Sequence, residues 1–456
     1  MKQRIYGLET EYGVARLSSD PNWSVSAAVR QLFSGINYDS QASTFLGNGG
    51  RLYVDVGDHP EYATAECDSL RDLLVQDRAG DLMLSRRVRA FNEKHEDSGQ
   101  SLRIFRNNLD AHGNSFGCHE NYLVSREETA HLSDSFFSFL ITRTLLTGAG
   151  AIMLPHQAAR ITRPRYVVSP RSQLLDAMLS SRSTSERPLI NTRDQPLANP
   201  LQYRRVHVMA GDTNVSETAT AMKIASTLLV LAALETGINW DDLSLANPLA
   251  ALRTVGLDLE GGAELELADG RRMSAAQIQS EIIRRLGGVD AFGNLTADPT
   301  VTVAGKQWQE MTEAARTQDF SALARSVDWV AKGQLLDQYR SREGLAWTHP
   351  RLRELDWAYH DVSGSLRERL EKLGHLPRLT RDEDVESAVN FPPATTRAHA
   401  RGTLIAAARR CHRDYRADWT GITVGSKGEV KADLPDPFEP LQSETATLVH
   451  RIESLG

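Results

Sequence analysis

At 456 residues the chain is long for one domain and suits two or three, or one large α/β unit with a small appendage. With 41% hydrophobic and 24% charged residues and no low-complexity tract, it can bury a sizeable core. A net charge of −7 argues against nucleic acid as the main partner, which would call for a basic face, and leaves small anionic ligands open. Cys67, Cys118 and Cys411 are far apart and form no CxxC pair, so reduced thiols are expected, with no disulfide framework and no zinc site. The opening MKQRIYGLETEYG lacks the apolar core of a signal peptide, and no run reaches the ~20 apolar residues of a membrane span. A cytoplasmic protein with no membrane partner is expected.

In chain order, residues 4–14 alternate like a strand, 24–34 read as a short amphipathic helix, and FLGNGG at 45–50 is a glycine-rich turn. Strands are expected at 51–56 and 61–66. Residues 68–96 carry apolar positions at helical spacing behind Asp68 as N-cap, which predicts a long helix. Strands near 102–107 and 117–125 precede a helix over 132–147. Further strands at 164–169, 187–192 and 203–210 lead to a strongly apolar helix at 216–236, which reads as core. From about 240 to 375 the pattern is mostly helical. FPP at 391–393 punctuates the chain, a helix follows at 394–410, and 420–431 looks β-like. Strands arriving in pairs before the helices predict an α+β fold with an antiparallel sheet. A large domain over 1–385 and a small C-terminal domain over 386–456 are expected.

Strand alternation places carboxylates together. In GLETEYG, Glu9 and Glu11 are two apart and share a face, as do Tyr53 and Asp55 in YVDV. Glu61 follows the His59–Pro60 turn. GCHENYL sets Cys118, Glu120 and Tyr122 on one face and His119 and Asn121 on the other, so a Cys118–His119 nucleophile–base pair is disfavoured. Taken singly, each feature has an ordinary reading: a solvated acidic face, a core-edge tyrosine, a turn histidine, a hairpin at GNGG in place of a phosphate cradle, and a solvated Asp58. Several carboxylates on neighbouring strands, however, repel one another in a low-dielectric cleft unless cations balance them. Hard oxygen ligands suit Mg²⁺, which bridges carboxylates to nucleotide phosphates. Arg51, Arg193 of NTRD, and Arg204 and Arg205 of YRRVHV are expected close by, and Arg205 is a phosphate candidate on chemistry alone.

RIYGLETEYG, NGGRLYVDVGDHPEYATAECD, NSFGCHENYL, PLINTRD and YRRVHVMAGDTN occur in that order, followed by DWAYHD, TTRAHARG and Asp418–Trp419. Together they resemble the Pup ligase and Pup deamidase/depupylase family, related to the glutamine synthetase-like carboxylate–amine ligases. The resemblance implies a curved antiparallel sheet cradling ATP and Mg²⁺, packed by helices, with a small C-terminal domain. It implies metal ligands at Glu9, Tyr53 and Glu61, with Glu11 a further contributor. Nucleotide contacts fall on Arg51, Thr64 and Trp419, and the catalytic base on Asp55. The implied reaction is phosphorylation of the C-terminal glutamate of Pup, the prokaryotic ubiquitin-like protein, and attack by a lysine of a substrate protein on the acyl phosphate. A lysine is protonated at neutral pH, so a carboxylate that takes its proton is chemically required.

VGDHPEYATAECD resembles the ligase branch. Depupylases resemble a version with a long insertion between the first strand and the Asn-Gly turn, whereas here only about thirty residues separate Glu11 from GNGG. Ligation is therefore the expectation, with depupylase or Pup deamidase as the alternative. NTRDQPLAN at 191–199 and SPRS at 169–172 depart from the usual NTRDEPHAD and SQRS or SQRA, a difference that concerns substrate contacts at that edge.

Overall fold

The structure, a computed structural model, describes residues 1–20, 22–33, 43–55, 57–127, 134–182 and 186–455. Its centre is an eight-stranded sheet. The strands are β1 (Tyr6–Glu11), β3 (Ser43–Phe45), β4 (Arg51–Asp55), β5 (His59–Ala63), β7 (Cys118–Ser125), β10 (Ala177–Ser180), β11 (Pro188–Asn191) and β12 (Tyr203–Val208). Their order is β10-β11-β12-β7-β1-β5-β4-β3. Every pair is antiparallel except β10 with β11. Smaller sheets pair β2 (Gly13–Leu17) with β6 (Ser101–Phe105), β8 (Ala151–Met153) with β9 (Arg165–Val167), and β13 (Glu264–Glu266) with β14 (Arg272–Ser274). A three-stranded sheet near the C-terminus joins β15 (Tyr415–Asp418), β16 (Gly421–Val424) and β17 (Val430–Asp433). The expected α+β class with a large antiparallel sheet is what the chain adopts.

The sheet has two unlike faces because its strands alternate. Leu8, Tyr122, Val124, Val206 and Val208 point to one side, where helices Leu70–Lys94, Asp134–Thr147 and Glu217–Glu235 bury them. Glu217–Glu235 is long and apolar enough to span a membrane by length and composition, but it is buried on all sides within this core. A helix hydrophobic all round is stable only where every face is covered. The opposite face of the sheet carries the polar residues.

Local chemistry moved some boundaries. The 4–14 segment is two strands, broken at Tyr12, whose N–H donates to the Pro60 carbonyl (2.8 Å) and whose hydroxyl donates to Asp81 (2.8 Å). The long helix is capped by Ser69, not Asp68: the Ser69 hydroxyl accepts from the Asp72 N–H at 3.3 Å. Asp68 instead accepts from Gln3 and Thr395. GNGG is a hairpin turn: the Leu46 N–H donates to the Gly50 carbonyl and the Gly49 N–H to the Leu46 carbonyl, each at 2.9 Å, with Gly49 at φ 80°. Parts of several expected elements lie outside the described residues: position 34 of the first helix, Val56, positions 132–133, and the 34–42 segment of the short stretch between Glu11 and GNGG.

Candidate active site

Pairing register assembles the site. Glu11 lies opposite Glu61, and Glu61 opposite Tyr53, so β1, β5 and β4 present three oxygen-bearing side chains in one row. One step along, Glu9 lies opposite His119, and Asn121 opposite His207. Cross-strand partners lie side by side on the same face, so all of these residues line the face away from the helices. Asp55 ends β4 on that face, opposite His59, whose ring packs on Phe116 with centroids 4.3 Å apart.

The contacts follow the register. His119 Nδ1 is 3.2 Å from Glu9 Oε2, and its Nε2 is 3.7 Å from Glu11 Oε1. His207 Nε2 is 3.6 Å from Glu9 Oε2, and the Asn121 amide donates to Glu9 Oε1 at 3.1 Å. Glu11 accepts the Gly117 N–H at 2.9 Å. Burial works to raise the Glu9 carboxyl, but the two imidazoles hold it well below the usual range. Glu61 goes the other way: burial and then the charges of Glu9 and Glu11 push it well above its ordinary value. Burial, with Glu9 and Glu61 beside it, likewise raises the Tyr53 phenol, which hydrogen-bonds Glu61.

These donors suit a divalent cation. Ligand-capable atoms of Glu9, His119 and His207, and separately of Glu11, Glu61 and His119, lie within 4.8 Å of one another. Three carboxylates held on one surface, one of them driven toward protonation by its neighbours, constitute a site whose repulsion a cation would relieve.

Beside the carboxylates runs a cleft walled by Gly7, Glu9, Thr64, Arg205, Arg397 and Trp419 among others. The Thr64 hydroxyl accepts the Leu8 N–H at 3.1 Å, which ties it to β1. The Arg51 guanidinium lies 4.5 Å from the Tyr53 ring centroid and 5.7 Å from that of Phe45, and Phe45 in turn meets Trp419 edge-on at 5.0 Å. The buried Nε of Arg205 has no hydrogen-bond partner, a donor suited to an anion.

The structure thus brings together Glu9, Glu11, Tyr53, Asp55 and Glu61, with Thr64 and Trp419 lining the adjoining cleft and Arg51 stacked beside Tyr53. Two of the other arginines expected close by do not line that cleft. Arg204 alternates to the opposite face from Arg205, paired with Val124, and Arg193 donates to the Ser181 carbonyl at 2.9 Å. Asp58 is half-buried and accepts from the Ser26 hydroxyl, so it is not simply solvated. Cys118 is buried on the helix side near Lys223, away from His119. His119 and His207 are the side chains beside Glu9 that sequence reasoning did not single out. Their only signal is parity: His119 shares a face with Asn121, and His207 with Arg205.

The model of the family described as Pup-ligase protein matches residues 4–423. Pup–protein ligase 1 of Rhodococcus erythropolis is 39% identical over 462 residues, covering 98% of this chain and 99% of the relative. The Pup–protein ligase of Xylanimonas cellulosilytica is 39% identical over 459 residues, with the same coverage of 98% and 99%. Among solved structures, the complex between prokaryotic ubiquitin-like protein Pup and its ligase PafA is similar with a TM-score of 0.90 and 35% identity, covering 100% of this chain and 92% of that one. The Pup ligase PafA in complex with ADP is similar with a TM-score of 0.83 and 36% identity, covering 96% of each chain.

Proposed function

The chain belongs to the Pup ligase family, and from that premise we propose that it joins the C-terminal glutamate γ-carboxylate of Pup to lysine side chains of substrate proteins, marking them for proteasomal degradation. The enzyme is an ATP-dependent ligase. ATP supplies the phosphoryl group that turns an unreactive carboxylate into an acyl phosphate. The observation that carries the reading is the row Glu11–Glu61–Tyr53 with Glu9 one step away, set beside a cleft that ends on Trp419. Similar PafA structures hold ADP in one case and Pup in another, which supports the same ligands here.

Each residue has a task its position suits. Glu9, Glu61 and Tyr53, with Glu11 beside them, would hold Mg²⁺, and the ion would supply positive charge to offset that of the phosphoryl group. His119 and His207 keep Glu9 ionised and oriented toward that set. Arg51, Thr64 and Trp419 receive the nucleotide: Trp419 offers a flat apolar ring and Arg51 a cation. Arg205 adds a buried donor where anionic oxygens arrive. Asp55 stands free of the His119–Glu9–His207 group and takes the proton of the attacking lysine. Helix Ala398–Arg410 and β16–β17 share a small core with Ile452, which supports reading this C-terminal part as a unit that delivers Trp419 to the cleft. We place the protein in the cytoplasm, consistent with Cys67, Cys118 and Cys411 standing as free thiols.

Incubation with ATP, Mg²⁺, Pup ending in glutamate and a lysine-bearing acceptor is expected to give a covalent adduct and one ADP per bond formed. Chelation should stop ADP formation, and added Mg²⁺ should restore it. Cleavage of a preformed conjugate with no adduct formed would identify a depupylase of the same family instead.

A further inference from the structure

The motifs AECD and TTRAHARG meet in three dimensions. Glu66, three residues past the end of β5, is buried against Arg397 and Arg401 of the segment that begins helix Ala398–Arg410. Glu66 Oε1 accepts from Arg397 Nε at 2.8 Å and from Arg401 Nη1 at 3.0 Å, and Oε2 accepts from Arg401 Nη2. Arg401 is fully buried and also donates from Nη2 to the Gly49 carbonyl at 2.7 Å and from Nη1 to the Trp419 carbonyl at 3.0 Å. Its guanidinium also lies 4.9 Å from the Trp419 ring centroid and 5.3 Å from that of Phe45. Arg397 extends the joint to the carbonyls of Leu197 (2.6 Å) and Leu434 (3.0 Å).

One guanidinium therefore grips the GNGG hairpin, the end of β5 and both the backbone and the ring of Trp419. Trp419 sits in the tight β15–β16 turn, where the Thr420 N–H donates to Asp418 at 2.7 Å. Thr64 and Glu66 from one side, and Arg397 and Trp419 from the other, wall the same cleft. A planar, five-donor fork holds such a set of acceptors in fixed geometry, which the single ammonium of a lysine cannot do.

We propose that Glu66, Arg397 and Arg401 form a positioning clip that fixes Trp419 against the nucleotide, so that nucleotide affinity depends on an ion pair remote from the reacting atoms. The inference rests on Trp419 contacting the nucleotide. Burial works to raise the Glu66 carboxyl, but Arg401 and Arg397 hold it down to about 2, so the clip stays ionised throughout the working pH range. The clip touches neither the carboxylate row nor Asp55, so its loss should alter ATP binding without altering the chemical step.

The test uses the full chain with Arg401→Met, Arg401→Lys, Trp419→Ala and the double variant Arg401→Met/Trp419→Ala. The KM for ATP and the Kd for ADP should rise about tenfold or more in the single variants, and in the Arg401 variants kcat and the KM for Pup should stay near parent values. The double variant should be no worse than Trp419→Ala, because both changes remove one contact. Should Arg401→Met fail to fold, Arg401→Lys and Phe45→Leu carry the same prediction. An Arg401 variant with parental KM for ATP beside a weakened Trp419→Ala, or fully additive losses in the double variant, would overturn the clip alone. Unchanged ATP affinity in Trp419→Ala would overturn the clip together with the nucleotide placement.

Discussion

Asp55→Asn is expected to slow isopeptide formation by about 10²–10⁴-fold, the usual contribution of a positioned general base. The substitution is isosteric, so the end of β4 and its pairing with His59 should survive. What it removes is the proton acceptor: a lysine with an ordinary pKa near ~10.4 arrives at neutral pH as an ammonium, and an ammonium cannot attack. Asp55 lies outside the cleft walled by Thr64 and Trp419, so the Kd for ADP should stay within about twofold of the parent. Single-turnover conjugation and a calorimetric ADP titration check both halves. Conjugation at the parental rate would place the base elsewhere. A variant that also fails to bind ADP would make Asp55 part of the nucleotide site.

The largest stability effect is expected behind the sheet. Arg106 is 1% exposed and donates at 2.8 Å to both Asp77 and Asp81 of helix Leu70–Lys94. Arg367 shares Asp81 at 2.6 Å, the Tyr12 hydroxyl donates to Asp81 at 2.8 Å, and the Thr10 hydroxyl donates to Asp77 at 3.3 Å. Thr10 stands between Glu9 and Glu11, so this buried network sits directly beneath the acidic row. Arg106→Leu would leave two carboxylates in the core with one guanidinium between them, at a cost of about 3–5 kcal/mol. The cost should depend on pH. Burial works to raise Asp81, but Arg106 and Arg367 hold it at about 2, below its unfolded value, so its contribution is complete above the unfolded pKa of ~3.9 and fades as pH falls through about 2. The gap between parent and variant in urea-induced unfolding should therefore be widest near neutrality and narrow in acid. A gap under ~1 kcal/mol at neutral pH, the size of an exposed pair, would contradict this account.

Much of the site was legible because a strand's period is two. That rule alone put Glu9 with Glu11 and Tyr53 with Asp55, and it turned His119 away from Cys118. It could not say which strands are neighbours. The adjacency of Glu11, Glu61 and Tyr53 follows from β1–β5–β4 pairing, and the meeting of Glu9 with His119 and His207 from β1–β7–β12 pairing, in which partners are separated by tens of residues. Register over such distances is fixed by the buried face, where Leu8, Tyr122 and Val206 must all meet the helices. Arg204 and Arg205 are adjacent in sequence, yet only one can face the cleft. The break at Tyr12 was invisible for the same reason, since its partners Pro60 and Asp81 are remote in the chain. Asp68 misled because aspartate and serine both cap helices well, and the choice fell to Ser69 once Gln3 and Thr395 had engaged Asp68. The clip at Glu66 lay within quoted motifs, but neither half reveals its partner without the fold.

The acidic sheet face is proposed to activate a carboxylate by phosphoryl transfer before a lysine attacks. Pup carrying ¹⁸O in its C-terminal γ-carboxylate tests this most directly. With ATP and an acceptor protein, one labelled oxygen is expected in inorganic phosphate for each isopeptide bond formed, because the oxygen that accepts the phosphoryl group leaves with it. Isopeptide formation accompanied by phosphate free of the label would contradict the account.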